Sequence, residues 1–266
     1  MGTLYLDSMT SFPSQNRLLS SLRPEELQLL GPLLVRVDLP LGTALEKVDA
    51  PIEHAYFMES GFASVVAGGK DREVETALIG FEGMTAVNLL LGDDHSINKT
   101  FIQAEGSAMR IAAADLRHAL SKCPSLHGFL LRYALAFSAQ VSQTAVVNGR
   151  ATIEKRLARW LLMAQDRFSS DTFPLTHEFI ATMLCVRRSG VTVALHILEG
   201  DHLIKANRKY ITVRDRAGLE RRSDPSYGVA EKEYERLVGV RASLSHETSP
   251  RLQARLFESV SAQAGR

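Results

Sequence analysis

The sequence has few cysteines and lacks the signals of a secreted or membrane protein. Its 266 residues include two cysteines, Cys123 and Cys185, which are too few for a disulfide framework and suit a reducing compartment. No apolar run approaches the ~18 residues of a membrane span, and the N-terminus lacks a signal-peptide pattern. We therefore expect a cytoplasmic protein without membrane association. The hydrophobic share of 45% and the charged share of 23% are typical of globular domains.

A large net charge is also lacking, because the formal value is only +1. The charge is unevenly distributed along the chain. Residues 1–149 carry 11 Lys and Arg against 16 Asp and Glu (net −5), residues 150–222 carry 14 against 8 (net +6), and residues 223–266 carry 6 against 6. This asymmetry predicts that residues 150–222 contact phosphates.

Signals of enzymatic or metal chemistry are scarce as well. The eight histidines include no pair at metal-ligand spacing on one predicted helix. No glycine-rich phosphate loop or nucleophile elbow is present, and two cysteines cannot hold an iron–sulfur cluster in the four-thiolate manner. We expect neither an enzyme nor a metal site, and the sequence identifies no cofactor.

Residues 175–213 predict two short helices followed by a β-hairpin. Thr176 is a good N-cap for the first helix, and the second begins near Arg187 or Arg188. The i, i+3, i+4, i+7 rule buries Val191, Ala194, Leu195 and Leu198. It leaves Ser189, Thr192, Val193 and His196 outside, with Arg188 beside them. A helix that presents polar and basic groups at its start suits the DNA major groove, so we expect double-stranded DNA as the partner.

Residues 35–111 have a different texture. Short apolar or alternating runs, such as His54–Met58, Phe62–Ala67 and Glu75–Ile79, are separated by frequent glycines. Runs at Phe101–Ala104 and Ala108–Ile111 continue the series. This pattern predicts a compact antiparallel roll or barrel.

A long helix is predicted to follow Pro124 and to reach about Asn148, with a hinge at Asn148–Gly149. Its seam steps by 4, 3, 4, 3, 4 and 3 residues, which suits self-association through paired helices. The alternative is a helix packed on its own roll. We favour dimerisation, because a two-fold protein also matches two DNA half-sites. The predicted interface consists of Leu126, Leu130, Tyr133, Phe137, Gln140, Thr144 and Val147.

The segment Leu175–Leu195 resembles, in spacing and residue type, the helix-turn-helix of the cyclic-AMP receptor protein / fumarate-nitrate reduction regulator (Crp/Fnr) family. The run Leu41-Gly42-Thr43 through Tyr56–Gly61 resembles that family's effector-sensing β-roll. The resemblance covers residues 15 to about 220. It implies an α+β fold with an N-terminal antiparallel β-roll of jelly-roll type (cyclic-nucleotide-binding-like), a long dimerisation helix and a C-terminal winged helix-turn-helix.

The resemblance also implies roles for residues of the helix-turn-helix. Arg188 would read a guanine, a contact worth ~1–3 kcal/mol of discrimination. Ser189 would pair less selectively, and Val193 could only pack on a thymine methyl. Thr176 and His177 would hold phosphate, and the wing would add sequence-independent attraction. The full predicted DNA-contact set is Thr176, His177, Arg187, Arg188, Ser189, Thr192, Val193, Lys205, Arg208 and Lys209.

One departure from the family pattern lies in the turn of the helix-turn-helix. Cys185 stands where the family usually places glycine. If this residue has a positive φ, its Cβ costs on the order of 1 kcal/mol. We interpret Cys185 as a structurally tolerated residue rather than a redox sensor, because the sequence shows no resolving cysteine beside it.

The effector is not identified by the sequence. Glu82, between two glycines, could bind a ribose hydroxyl, and Ser142 could reach a nucleotide across a dimer. The position that corresponds to the family's phosphate-binding site, residues 98–100, has Lys99 but no arginine. A lysine offers charge without the two parallel donors of a guanidinium group. These residues form the predicted effector pocket, and they argue against cyclic AMP as the ligand.

We therefore predict a homodimeric, sequence-specific transcriptional regulator that a signal at the roll modulates. The expected domains are 1–112 (roll with N-terminal helices), 113–149 (a helix and the dimerisation helix), 150–222 (winged helix-turn-helix) and 223–266 (a tail with one helix from Ala230 to Leu244, otherwise polar). RNA polymerase is a further candidate partner. The alternative is a ligand-binding or interaction module whose helix-turn-helix docks a protein.

Overall fold

A computed structural model of the chain describes residues 13–68, 73–168, 170–207, 210–223 and 225–239. The N-terminal part begins with two short helices, α1 and α2, and continues as an antiparallel sheet in the order β1-β7-β4-β5, with β2 also paired to β7. A separate two-stranded sheet joins β3 and β6. The bounds are α1 Arg17–Ser20, α2 Pro24–Leu30, β1 Val35–Leu39, β2 Ala44–Glu46, β3 Ala50–Pro51, β4 His54–Ala67, β5 Val74–Ile79, α3 Val87–Leu90, β6 His95–Ser96 and β7 Lys99–Ala112.

The antiparallel roll is as predicted, but its two central strands are longer than the glycines suggested. The runs on either side of Gly61 form one strand, β4, and those on either side of Gly106 form one strand, β7. The glycines lie at bulges, where the pairing register shifts. Gly61 has φ +67°, and a Cβ at Gly106 would lie 2.1 Å from the carbonyl oxygen of Ser60. A bulge lets the strand bend without ending the ladder.

The long helix is also as predicted. After α4 (Ala113–Lys122), helix α5 runs from Pro124 to Arg150, with proline in the first turn where its missing N–H costs nothing. The helix passes through the predicted hinge at residues 148–149. It ends at Ala151, whose extended backbone begins a two-residue link to the next helix.

The C-terminal domain contains the two helices and the hairpin that the sequence predicts. Thr176 Oγ1 accepts a hydrogen bond from Phe179 N at 3.2 Å and caps α7. Strand β8, which the sequence did not indicate, adds to the hairpin in the order β8-β10-β9. The bounds are α6 Ile153–Gln165, β8 Thr172–Pro174, α7 His177–Met183, α8 Arg188–Gly200, β9 Ile204–Ala206, β10 Tyr210–Val213 and α9 Arg216–Ser223.

No single helix within the described ranges is long and apolar enough to cross a membrane. Only α7 and α8 taken together reach that length and composition, and they are bent by 107° at their junction.

The chain then returns to the roll. Helix α10 (Val229–Tyr234) and a π-helical turn (Glu235–Gly239) pack on α5. Tyr234 donates a hydrogen bond to the carbonyl oxygen of Glu82 at 2.7 Å, and Val238 is buried in the roll's core cluster. The helix predicted from Ala230 therefore exists, while its predicted end, residues 240–244, lies outside the described residues. Residues 229–239 are part of the folded core rather than of a polar tail.

The roll and the C-terminal domain share one hydrophobic core. Phe62, Leu78 and Ala104 of the sheet pack with the apolar side chains of α6, including Trp160. The ring of Phe168, after α6, meets Phe62 edge-on at 5.3 Å between centroids. An ion pair of 2.6 Å between Arg167 and Glu82, both largely buried, crosses the same boundary. The helix-turn-helix is thus held against the roll of its own chain.

A buried carboxyl group lies at the centre of this boundary. Glu75 accepts hydrogen bonds of 2.5 Å from Ser64 Oγ, on the neighbouring strand, and from Nε1 of Trp160, on α6. Removal from water raises the pKa of Glu75 to about 7; the two hydrogen bonds and the charges of Arg167 and Arg159 oppose this rise. The carboxyl group is therefore protonated in the folded protein below neutral pH.

The Glu75→Gln variant tests this protonation. The unfolded carboxyl group titrates near 4.5, so between about pH 4.5 and 7 only the unfolded state releases the proton, and stability falls as pH rises. A neutral amide has no proton to lose. We therefore expect the free energy of unfolding of E75Q to exceed that of the unmodified protein by up to about 3 kcal/mol at pH 8 and by almost nothing at pH 4.5. Thermal unfolding at both pH values measures this. Glu105→Gln, on the exposed surface, is the control; an equal loss of stability at both pH values for E75Q would contradict the assignment.

The turn between α7 and α8 contains a residue with a left-handed backbone. Cys185 has φ +50° and is exposed. Its Cβ therefore carries the cost that the sequence suggested for this turn. Arg156, on α6, donates a hydrogen bond to the carbonyl oxygen of the preceding Leu184, which helps to fix the turn.

We expect Cys185→Gly to stabilise the protein by about 0.5–1 kcal/mol, because relief of the left-handed strain exceeds the added freedom of the unfolded chain. Cys185→Ala removes the thiol but keeps the Cβ, so it should leave stability unchanged. Urea denaturation of the two variants provides the measurement. Equal stabilisation by both would mean that the thiol, rather than the backbone, is the source of the cost.

Candidate nucleic-acid interface

The start of α8 presents an exposed surface to solvent. Arg187, Arg188 and Ser189 are exposed there, and Val193 is 59% exposed although its side chain is apolar. The opposite side of α8, formed by Val191, Ala194, Leu195 and Leu198, is buried as predicted. The packing of these four residues fixes which side chains the helix offers to a partner.

Helix α7 is tied to this surface. Nδ1 of His177 lies 3.3 Å from the hydroxyl oxygen of Thr192, which in turn donates a hydrogen bond to the carbonyl oxygen of Arg188 at 3.2 Å. Thr192 is half-buried rather than fully outside. Its contacts suggest that it positions His177 more than it reads a base. The hydroxyl oxygen of Thr176 is engaged in the helix cap, while its O–H group remains available as a donor.

A groove of about 530 Å³ runs between α7, α8 and the hairpin. Three of the predicted contact residues, Thr176, His177 and Arg188, line it together. His196 and Asn207 line it as well and were not included in the predicted set. The helical pattern leaves His196 on the outside of α8, and this is the signal that marks it as a candidate contact. Glu178, Glu199 and Ala206 complete the lining.

The hairpin is anchored to α8 at the edge of this groove. The backbone N–H of Ala206 donates to Oε1 of Glu199 at 3.1 Å, which uses one of the two acidic side chains in the groove for structure. Lys205, the predicted phosphate contact on β9, is exposed. The other two predicted wing contacts, Arg208 and Lys209, lie outside the described residues.

The predicted dimer seam of α5 faces the chain's own roll, which corrects the predicted contact face. Tyr133 exchanges hydrogen bonds with the backbone of Met84, and Gln140 with the backbone of Leu78. Phe137 packs partly buried against the core, and Thr144 bonds to Arg159 of α6. The remaining three, Leu126, Leu130 and Val147, are buried. The adjacent sheet already removes the large apolar side chains of this face from water, so little of their area remains for a partner helix to bury.

The opposite face of α5 is uncovered. Its residues are exposed at steps of 4, 3, 4, 3 and 4, which is again the spacing of a coiled-coil seam. Leu135 is 54% exposed and Leu131 is 37% exposed. The exposed seam consists of Leu131, Leu135, Ser138, Ser142, Ala145 and Gly149. We refer to these six residues as the outer face of α5.

The three residues of the predicted effector pocket have separate surroundings. Glu82 is paired with Arg167, Lys99 lies 3.5 Å from Glu73 in an exposed pair, and Ser142 belongs to the outer face of α5. A cavity of about 590 Å³ has Glu82 in its wall but neither of the other two. The space between the sheet and α5 is filled by apolar side chains, among them Met58, Ile79, Ile102 and Phe137.

One group of side chains has atoms close enough to share a cation. Asp93, Asp94 and His95 each offer one ligand atom within 4.8 Å of the others. Asp94 is already engaged, because Arg117 and His95 both bond to it and lower its pKa. This exposed cluster is explained by its own ion pairs.

Sequence comparison agrees with this geometry. The family model of the Crp-like helix-turn-helix domain matches residues 155–222, which begin within α6 and end within α9. No curated protein matches the chain.

Solved structures extend the comparison to the roll. A protein from Eubacterium rectale, described as a Crp/Fnr-family transcriptional regulator, is 18% identical with a TM-score of 0.61, over 80% of this chain and 98% of its own. A CRP-family regulator from Thermus thermophilus is 18% identical with a TM-score of 0.58, over 73% and 99%. The c-di-GMP-responsive regulator CLP from Xanthomonas campestris is 17% identical with a TM-score of 0.56, over 72% and 99%. The chain therefore has the fold of the Crp/Fnr family of transcriptional regulators, as its sequence predicts, and its residues 155–222 match the Crp-like helix-turn-helix domain.

Proposed function

We propose that the protein is a homodimeric, sequence-specific transcriptional regulator whose DNA binding responds to a signal at its N-terminal part. The observation that carries the proposal is the exposed start of α8, set beside a groove that Arg188, His177 and Thr176 share with the wing. A major groove accepts a helix of this kind, and phosphates on either side accept donors from the flanking elements. We assign the protein to regulators rather than enzymes.

In this proposal the contacts divide into two classes. Arg188 and Ser189 read base edges, and Val193 packs on a thymine methyl. The remaining predicted residues, including Arg187 and Lys205, bind phosphates and set the register of α8 on the duplex. We add His196 to the candidate base or phosphate contacts, because it lines the same groove as Arg188.

Dimerisation is proposed through the outer face of α5. Its seam spacing and its exposed leucines support the pairing of two α5 helices. Serine, alanine and glycine in its second half allow close approach of the two backbones. A pair of α8 helices related by a two-fold axis would then meet two half-sites. RNA polymerase remains a predicted partner.

The proposal is tested first with Arg188→Ala and Lys205→Ala. Duplexes selected from a random library and scrambled duplexes of equal length are titrated at two salt concentrations. We expect R188A to lower the ratio of specific to non-specific affinity about tenfold for each half-site. K205A should weaken both classes of duplex alike and reduce the salt dependence by about one counterion for each protomer.

The alternative, a helix-turn-helix that docks a protein, makes the opposite forecast for the same titrations. In that case the unmodified protein selects no sequence from the library, and its affinity for duplexes does not fall with salt. That result would remove DNA as the partner.

A second test concerns the dimer. Leu135→Glu places two carboxylates opposite each other in the proposed seam, and we expect the dimer dissociation constant to rise at least about 30-fold. Sedimentation equilibrium measures the change. Leu41→Glu, on the roll surface where Leu41 is 69% exposed, is the matched control and should leave the dimer intact. Equal effects of both substitutions, or no effect of L135E, would move the interface away from this face.

A further inference from the structure

A cavity of about 590 Å³ lies where four parts of the chain meet. Its walls come from the roll, from α5, from the end of α6 and from the segment that contains α10. Its size is within the range of small-molecule sites, ~300–1,000 Å³. The lining includes Arg17, Phe81, Glu82, Tyr133, Phe137, Asp166, Arg167, Tyr227, Lys232 and Tyr234.

Aromatic rings dominate these walls. Five of the lining residues are Phe or Tyr, and they come from every part of the chain that forms the cavity except α6. The polar ends of Tyr227 and Tyr234 are turned to protein partners: Tyr227 donates to Asp166 at 2.7 Å and Tyr234 to the carbonyl oxygen of Glu82. One face of the Tyr227 ring is covered by the guanidinium group of Arg216, 5.7 Å from its centroid. The remaining aromatic surface lines the cavity, which suits a planar aromatic molecule.

Most charged groups of the cavity are neutralised within the protein. Among the described residues the carboxylate of Glu231 has no ion pair, and it accepts a hydrogen bond from the backbone N–H of Gly228 at 2.9 Å. Arg167 pairs with Glu82 and Arg17 with Glu235, and Arg216, behind the wall, pairs with Asp166. In the part of the chain that the structure describes, Lys232 is the basic side chain of the lining that has no ion pair, and it is exposed at the rim. A ligand with one negative group would place that group at Lys232.

The lining also indicates whether this negative group carries one charge or two. Four carboxylates, of Glu82, Asp166, Glu231 and Glu235, belong to the lining. A dianionic phosphate would meet these carboxylates with a single ammonium group to balance it. A carboxylate carries half that charge and is matched by one lysine.

We propose that this cavity binds a small aromatic carboxylate, with its ring between the Phe and Tyr side chains and its carboxylate at Lys232. The site differs from the effector pocket expected within the roll. One of its walls, Tyr227–Glu235, lies beyond the residues that the helix-turn-helix family model matches. Another, Asp166–Arg167, belongs to the domain that carries α8. A bound ligand therefore touches the ion pair between the roll and the helix-turn-helix. That this ligand is the effector rests on the proposed function.

Calorimetric titration of the full chain without DNA tests the binding site alone. The probes are 2-naphthoate, its uncharged counterpart 2-naphthamide and the dianionic 2-naphthyl phosphate. We expect saturable binding of 2-naphthoate, about fivefold tighter than that of 2-naphthamide, as for a surface ion pair, and weaker binding of the phosphate. Absence of saturable binding, or tightest binding of 2-naphthyl phosphate, would overturn the proposal.

Variants locate the site. Lys232→Gln should abolish the preference for 2-naphthoate over 2-naphthamide, whereas Lys122→Gln, an exposed lysine at the end of α4, should preserve it. Ala230→Leu fills the cavity from α10 and should weaken all three probes, with thermal unfolding as the check on its fold. If Lys232→Gln and Lys122→Gln behave alike, the carboxylate does not bind at this rim.

The effector role needs a separate experiment. The affinity for a selected duplex is measured with and without saturating 2-naphthoate, in the unmodified chain and in K232Q. A change of affinity in the former and a smaller one in the latter supports coupling. Binding of 2-naphthoate without any change in DNA affinity would refute the effector role and leave the site intact. Absence of all duplex binding would instead refute the proposed function.

Discussion

The structure depends on the packing of the helix-turn-helix domain against the roll of the same chain. Its central contact is the buried Glu75, held between Ser64 of the sheet and Trp160 of α6. If either donor moved away, an oxygen of this carboxyl group would be left without a hydrogen bond, which is costly in a site removed from water. The arrangement therefore links the position of α6, and through it that of α8, to the chemistry of a residue in the roll. Arg167 and Glu82 fasten a second point of the same boundary.

Helix α5 has two seams of similar spacing, and the sequence could not decide between them. The seam with larger residues, such as Tyr133 and Phe137, was predicted to meet a partner. It packs on the roll, where bulky rings fill the space beside the sheet and their polar groups find backbone partners. The seam with smaller residues is left outside. Residue spacing identifies a helix face, but which face is buried within the chain depends on the sheet that lies next to it.

Local sequence predicts structure well where the determining contacts are themselves local. The cap at Thr176, the apolar spacing of α8 and the hairpin after it depend on residues that are close in sequence, and all are found. Two features escape such an analysis. Gly61 and Gly106 read as strand ends, since a bulge is recognisable only when the facing strand is known. The contact of Tyr234 with Glu82 joins residues 152 positions apart, and no periodicity signals it.

The link between α5 and α6 bears on how a signal could reach the DNA. Only Ala151 and Thr152 separate the two helices, and neither residue fixes an angle between them. A side-chain contact holds the angle instead: Arg159 reaches Thr144 on α5 at 3.2 Å. Arg156 in turn ties α6 to the turn before α8. In a dimer built on α5, the distance between the two α8 helices follows from this angle. Any ligand that alters the contacts of α6 with the roll would therefore change the match to two half-sites, without acting on α8 itself.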